Sequence, residues 1–576
     1  MQHSMENTMQ GKSQVPVKLL ILISLVQGFT LLLLHQSIDL DFWPNNSPEW
    51  LFSFYSMAFI GPTMLLLGLR KGQVAATVKW VLPFTLLGGV LGYYTGDQAI
   101  PLQHIRYDGL FFSFTITMLI ATFKAMIYVQ QFNSGEKFNY SLLFGWSWRN
   151  FLTLSLSLLF AACFWGILML WGGLFKSINI NFFMDLFTEK WFFYPTISLA
   201  NGFGIIIFRN LSNVIDTITR LQQALMKFLL VVLVLVSILF LGTLPITGLN
   251  PLWESGGSSL ILWMQALMLF FVNAVYQDEP KARPYQLYLH RFIYLGVFLL
   301  PIYSVISFYG LSLRVDQYGW SLLRCWAFLI WFLLALFPIG YVWGIIKMRD
   351  NWLHQLSKVN VVIGLVVLAA MLLVNSPLLD FRKIVVNSQI NEINSKGLAI
   401  DDMDVDYFRK NLAKPGYIAL QELQMLHASA NPSFVFRVNK VYANHKTKEN
   451  LITKHDFLAA IHVLNGDIPD SLADFLYKKN IAKNNYQSTK KYYLNAINLD
   501  DVEPLEYLLV EERQSSSYLY LYVFEEGHWL NVSTGQLGKY HKLDDEFLEQ
   551  FINGNIELQK PKWPEIKIGD HQFQVR

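Results

Sequence analysis

The chain reads as a membrane α-helical bundle of about eleven spans, followed by an extracytoplasmic α+β domain with its helices first and antiparallel strands last. Three observations predict this. Of the 576 residues 53% are hydrophobic and only 15% are charged, against about 25% charged in an ordinary soluble domain. The charge deficit is confined to residues 1–375, which hold a series of long apolar runs. The loops between those runs alternate between many basic residues and few.

A helix crossing a hydrocarbon core about 30 Å thick needs roughly 20 apolar residues. The runs predict spans at about 16–35, 50–69, 77–95, 110–129, 152–175, 191–208, 224–245, 257–276, 292–309, 322–346 and 359–375. The clearest are 229–245 and 361–374. The weakest is 191–208, where Pro195, Asn201, Gly202 and Gly204 leave a broken or re-entrant segment as the alternative. The first run is too long for a cleavable signal, lacks a small-residue cleavage site and precedes ten more spans, so it reads as the first helix. Residues 1–15 then form a cytoplasmic segment and residues 16–375 the spanning domain.

Cytoplasmic loops are enriched in Lys and Arg. With the N-terminus placed in the cytoplasm, the inside segments up to residue 375 hold 17 basic residues and the outside segments 5. The outside set is Arg106, Lys176, Lys190, Arg314 and Arg324. A miscount by one span would break the alternation midway, and it does not break. Arg209 and Arg220 fall inside only if 191–208 is a crossing. Eleven spans put residues 376–576 on the far side, which is the periplasm if the membrane is a bacterial inner membrane. That tail carries 23 basic and 27 acidic residues, a net charge of −4. It offers no basic face for nucleic acid.

Both cysteines, Cys163 and Cys325, fall within spans. The tail therefore contains no disulfide and no thiolate metal site. Its elements follow in order. Residues 375–380 end the last span, with Pro377 as a stop. Residues 381–397 predict a short amphipathic helix. Residues 401–426 predict an acidic cap, a helix, a turn at Pro415-Gly416 and a second helix. Residues 449–464 predict a third helix, and 465–480 a turn and a short helix capped by Asp470 or Ser471. The segments "EYLLVEER", "SYLYLYVF" and "HWLNVS" are rich in aromatic and β-branched residues and predict an antiparallel meander. "EIKIGDHQFQVR" alternates around Gly569-Asp570 and predicts a closing hairpin.

Few residues suggest chemistry. Asp39 and Asp41 pair in the first outer loop, where polyprenyl-phosphate-dependent glycosyltransferases carry acidic pairs as base or metal holder; two carboxylates suit a divalent cation. The plainer reading is a solvated loop. Asp278, Glu279 and Arg283 lie in a charge-dense inner loop stiffened by two prolines, which suits a phosphate or lipid head-group contact as well as an ion-paired loop. Asp316, Tyr318 and Arg324 belong to the matching outer loop. Arg324 sits about a turn into a span, where an ionisable residue marks either function or an interfacial anchor, with Asp316 as its expected partner. Lys124 and Lys227 read as snorkelling side chains. Gln27, Asn201, Gln265 and Asn273 read as interhelical hydrogen-bonding residues. The spans carry no Asp or Glu at mid-membrane depth, which weakens proton-coupled transport. The tail histidines lack zinc spacing, and no Walker loop, G-x-S-x-G or G-x-G-x-x-G occurs. No metal and no cofactor is expected.

The stretch 276–331, where a span leads into "LRVDQYGWSLLR", and "VNSPLLDFRKIVVNSQI" (374–390) resemble the bacterial polytopic membrane proteins of the domain-of-unknown-function 4153 family. The resemblance covers most of the chain. It implies an inner-membrane location and no known reaction, and it supplies no catalytic residues. It makes Tyr318, Gly319 and Arg324 the first positions of interest. Three functions fit this reading: a non-enzymatic membrane protein that senses or scaffolds through its outer domain, with lipid head groups or envelope proteins as partners; a transporter or lipid-handling protein; and a polyprenyl-phosphate-dependent glycosyltransferase.

Overall fold

The computed structural model describes residues 15–135, 139–251, 258–276, 284–349, 352–396, 400, 403–427, 431–442, 454, 458, 461–482, 491–499, 503–512, 517–525, 527–532, 550, 551, 553, 556, 566–568 and 571–573. The chain forms two compact units, residues 1–442 and 443–576.

The first unit is helical. Its helices are α1 (Val17–Asp39), α2 (Pro48–Gly68), α3 (Val74–Asp97), α4 (Asp108–Asn133), α5 (Tyr140–Ser177), the short α6 (Phe182–Thr188), α7 (Lys190–Asn210), α8 (Ser212–Thr247), α9 (Ser258–Val275), α10 (Leu287–Tyr318), α11 (Leu322–Met348) and α12 (Leu353–Val374). Ten of these are long and apolar enough to cross a membrane. The eleventh expected span is α9, whose 18 residues reach about 27 Å at 1.5 Å per residue. The protein is a multi-pass membrane protein.

Local sequence explains the helix ends. The Asn139 side chain accepts hydrogen bonds from the backbone of Ser141 and Leu142 and starts α5. Ser321 caps α11 by accepting from Arg324 N. Prolines 62, 83, 195, 245, 301 and 338 lie inside helices, as membrane bundles tolerate when neighbours re-satisfy the backbone.

Two apolar clusters fill the bundle. One gathers α1 to α4 and α7, through Leu20, Ile60, Met64, Val81, Met118 and Ile205. The other gathers α8 to α12, through Leu230, Met268, Val297, Tyr341 and Leu356. Helix α12 joins them. Its Met371 packs with Ala121 of α4 and Leu333 of α11, and its Val361 carbonyl accepts from the Tyr128 hydroxyl at 2.8 Å. Large apolar side chains such as Leu22, Leu170, Phe228 and Trp263 stay exposed on the helices; lipid is the solvent that tolerates such a surface.

The polar residues within spans bond across helices, as expected. Gln27 donates to the Ala58 carbonyl and Asn201 accepts from Ser157. Gln265 donates to Ser304, and Asn273 accepts from Tyr341 and Asn360. Helix α7 is one continuous helix rather than a broken segment, and its unusual residues are contact residues. A Cβ at Gly204 would lie 2.9 Å from the Ser157 backbone, and one at Gly28 would lie 2.6 Å from Pro195 Cα. Small residues let these backbones approach. At its end, Arg209 donates to the carbonyls of Leu66 and Leu69 at 2.6 and 2.5 Å. The end of α7 therefore meets the end of α2, which is the parity a crossing requires.

A 3₁₀ turn (Pro377–Leu379) leads into α13 (Phe381–Lys396), α14 (Val405–Asn411), α15 (Ala413–His427) and α16 (Pro432–Tyr442). The acidic cap is Asp404, whose carboxylate accepts from Tyr407 N at 2.9 Å. The expected break at Pro415-Gly416 falls instead at Leu412-Ala413, where Ala413 has φ 48°. Pro415 sits in the first turn of α15, where a missing N–H costs nothing.

The second unit contains β1 (Ile461–Asn465), α17 (Asp470–Ala482), β2 (Lys491–Ile497), β3 (Glu506–Glu512), β4 (Ser517–Glu525), β5 (His528–Val532), β6 (Ile566–Ile568) and β7 (His571–Phe573). The five-stranded sheet has the order β1-β2-β3-β4-β5. Its pairs are antiparallel except β1-β2, which is parallel and joined through α17, as a parallel pair needs a crossover. Of the helix expected over 449–464, most of 449–460 lies outside the described residues, and 461–464 belong to β1; pairing with β2 overrides the local pattern there. Strand β2 extends the expected meander by one. Leu472 and Leu476 of α17 pack with Leu494, Tyr507 and Leu509 of the sheet, and Tyr493 and Val510 meet Phe551 on its other face. The closing hairpin pairs Ile566 with Phe573.

Candidate functional site

Helices α13 to α16 are fastened to the far end of the bundle, the end where α1 finishes. Four contacts build this joint. The Tyr94 hydroxyl of α3 donates to Asp380 at 2.8 Å, and Arg382 Nε donates to the same carboxylate at 2.9 Å. Asp380 is 3% exposed; a carboxylate so buried needs such partners. Lys414 pairs with Asp97 at 2.7 Å, while its backbone N–H donates to the Gln98 carbonyl at 3.1 Å. The His104 ring stacks on Tyr417 and meets Tyr442 edge-on.

The fourth contact is the loop between α10 and α11. Gly319 has φ 66°, a conformation that favours glycine. A Cβ there would fall 2.5 Å from the Glu392 carboxylate of α13. The Trp320 backbone N–H donates to Ser388, its carbonyl accepts from Gln389, and the Leu322 N–H donates to the Tyr407 hydroxyl at 2.9 Å. Burial pushes the Tyr407 phenol above its usual range, opposed by that N–H. Beneath these polar contacts lies an apolar core shared by Cys325, Val374, Phe381, Val385, Phe408, Leu412, Leu420 and Phe434. Trp326 packs edge-on to Phe381 at 5.1 Å. The arrangement links α13 to α15 directly to α3, α10 and α11.

The expected site residues take distinct places. Tyr318 and Arg324 are at the joint. Arg324 does not pair with Asp316, which is exposed. Its guanidinium donates to the carbonyls of Tyr318 and Gly319 at 3.0 and 2.6 Å and lies over the Tyr318 ring. A cation there closes orphan carbonyls at the end of α10. Asp39 is ion-paired with Lys190 at 2.5 Å and near His35. Asp41 accepts from Asn45 at 2.7 Å. An apolar groove of about 640 Å³ opens beside this loop, lined by Leu33, Phe42, Trp43, Phe54 and Met57 among others, with no acidic residue in its lining. Asp278, Glu279 and Arg283 lie outside the described residues. Among the described residues no group of three or more His, Cys, Asp or Glu is placed to hold a metal ion, and both cysteines are free.

Residues 23–423 match the family described as "Domain of unknown function (DUF4153)". The chain belongs to this family. The matched region begins in α1 and ends in α15, so it includes the joint except for α16, whereas the sheet unit lies outside it. No curated protein and no solved structure matches the chain.

Sequence reasoning reached Tyr318, Gly319 and Arg324 but not Tyr94, Asp97, Asp380 or Lys414. The Asp380 and Asp97 contacts span 286 and 317 residues, beyond any local pattern. The nearby spacing of Gly88, Gly92 and Gly96, every fourth residue, marks the close contact of α3 with α2 rather than the joint.

Proposed function

We propose that this protein is a non-enzymatic inner-membrane scaffold or sensor. Its bundle holds helices 377–442 on the extracytoplasmic side of a bacterial membrane, and residues 443–576 follow on that side. The joint carries this reading: helices α13 to α16 share a core with the bundle and are not tethered by a loop alone. A many-span anchor fastened in this way suits a protein that presents or reads out an envelope partner. Charge supports the orientation, with 17 basic residues on the N-terminal side and 5 on the other.

Transport and glycosyl transfer have less support. Asn201 bonds to Ser157, whereas Gln265 bonds to Ser304 and Asn273 to Tyr140, Tyr341 and Asn360, so these polar residues do not share partners. Asp39 already has a cationic partner. The orientation is tested by replacing Cys163 and Cys325 and placing single cysteines at Ser134 and Asn179. A membrane-impermeant maleimide applied to intact cells should label position 179 and spare 134; the reverse pattern refutes the orientation. The function is tested by complementing a deletion strain. Asp39→Asn and Asp41→Asn should restore the phenotype, and Asp380→Ala should not. Loss of function in the first two variants, with normal protein levels, would favour glycosyl transfer instead.

A further inference from the structure

The opposite end of the bundle, where α1 begins, holds three arginines from three separate elements. Arg70 follows α2, Arg149 lies nine residues into α5, and Arg209 is in the last turn of α7. Arg149 lies within electrostatic reach of Arg70, and both lie within reach of Arg209. All three are partly buried. The Arg70 guanidinium lies 4.2 Å over the ring of Trp146, and burial with the nearby Arg149 pushes Arg70 down to about 10. Arg209 engages one N–H of each terminal nitrogen on the Leu66 and Leu69 carbonyls, which leaves three of its five N–H donors for a further acceptor. Among the described residues none of the three is ion-paired with a carboxylate. Trp146 is 6% exposed, and its indole N–H has no acceptor.

Like charges gathered at a half-buried site repel and are costly without a counter-charge. Planar guanidinium forks match phosphate oxygens, and basic pockets between helices at a membrane face take anionic head groups. We propose that Arg70, Arg149 and Arg209 form an anion site for a phosphate group, with the Trp146 N–H as a further donor. The anion supplies the counter-charge that no carboxylate among the described residues provides, and in doing so ties the ends of α2, α5 and α7 together. The site does not depend on which way the protein is oriented, nor on the scaffold reading.

The test uses the full-length protein and its melting temperature, since a ligand that binds only the folded state raises it. One arm compares nanodiscs of phosphatidylglycerol with nanodiscs of phosphatidylcholine. The other titrates inorganic phosphate against chloride at constant ionic strength in detergent. Wild type should be stabilised in at least one arm. Stabilisation by phosphatidylglycerol alone identifies a lipid head group, and stabilisation by inorganic phosphate as well identifies a soluble phosphate. Arg149→Gln should weaken binding by about tenfold or more, while its melting temperature in chloride should not fall, because repulsion is relieved. Arg70→Gln repeats the test from a second element. Arg106→Gln, at the other end of the bundle, should keep the full stabilisation. A wild type indifferent to both probes overturns the proposal, as does an Arg149→Gln protein with an undiminished response. So does a response lost equally in Arg106→Gln.

Discussion

The contact between α2 and α3 makes a sharp prediction. A Cβ added at Gly96 would lie 2.4 Å from the Pro48 carbonyl oxygen, 2.5 Å from Glu49 Cα and 2.7 Å from the Pro48 carbonyl carbon. All three are backbone atoms, so no rotamer change relieves the clash. Ordinary contact distances of about 3.5 Å require the helix ends to separate by roughly 1 Å, and a gap of that size forfeits up to about half of each dispersion contact across the interface. Gly96→Ala should therefore cost about 1–3 kcal/mol, the usual range for overpacking. Gly173 is the matched control, because it lies within α5 and a Cβ there meets nothing within 4 Å. Gly173→Ala should be neutral or stabilise by up to about 1 kcal/mol through helix propensity. The assay is thermal unfolding of the full chain in detergent, followed by tryptophan fluorescence. The expected result is a melting temperature lower by at least about 2 °C for Gly96→Ala alone. Equal melting of both variants and wild type would refute the close-packing argument.

Other outcomes follow from the joint and the bundle. Asp380→Ala leaves Arg382 without its buried counter-ion and should cost about 3 kcal/mol, read as early protease cutting between residues 377 and 442. Lys414→Ala removes a pair whose side chains are 31% and 37% exposed and should cost less than about 1 kcal/mol in the same assay. The Tyr407 phenol keeps its proton longer in the folded state than its ordinary value of 10.0 allows. Its contribution is thus complete below pH 10 and is lost as pH rises beyond it. Stability should fall on the alkaline side, and Tyr407→Phe should flatten that fall while costing about 1 kcal/mol at neutral pH, measured by melting across a pH series. Asn150→Leu breaks the reciprocal amide pair with Gln130, at 3.2 and 2.7 Å. It should cost about 0.6–1.7 kcal/mol, the range for hydrogen bonds inside membranes, by the same melting assay.

The spans were legible because apolar length is a local property. Even α7 was legible as a span, since the charge alternation overruled its proline and two glycines. The joint was legible only at "QYGW", where a turn follows a long helix. Its other half was invisible because Asp97 and Lys414, or Tyr94 and Asp380, are ordinary residues in separate segments. Strand β1 was misread for a related reason: "IHVLN" is too short to announce its state, and the parallel partner β2 decides it.

By itself the sequence determined that this chain crosses a membrane about eleven times and which residues lie between the crossings. Hydrocarbon demands helices of a set length, and loop charge records their alternation. Tertiary structure alone decided that helices 381–442 belong to the bundle's unit and that Arg324 closes a helix end rather than an ion pair. It also decided that Arg70, Arg149 and Arg209 converge. Those facts depend on distances between residues far apart in the chain, and packing sets such distances where periodicity cannot.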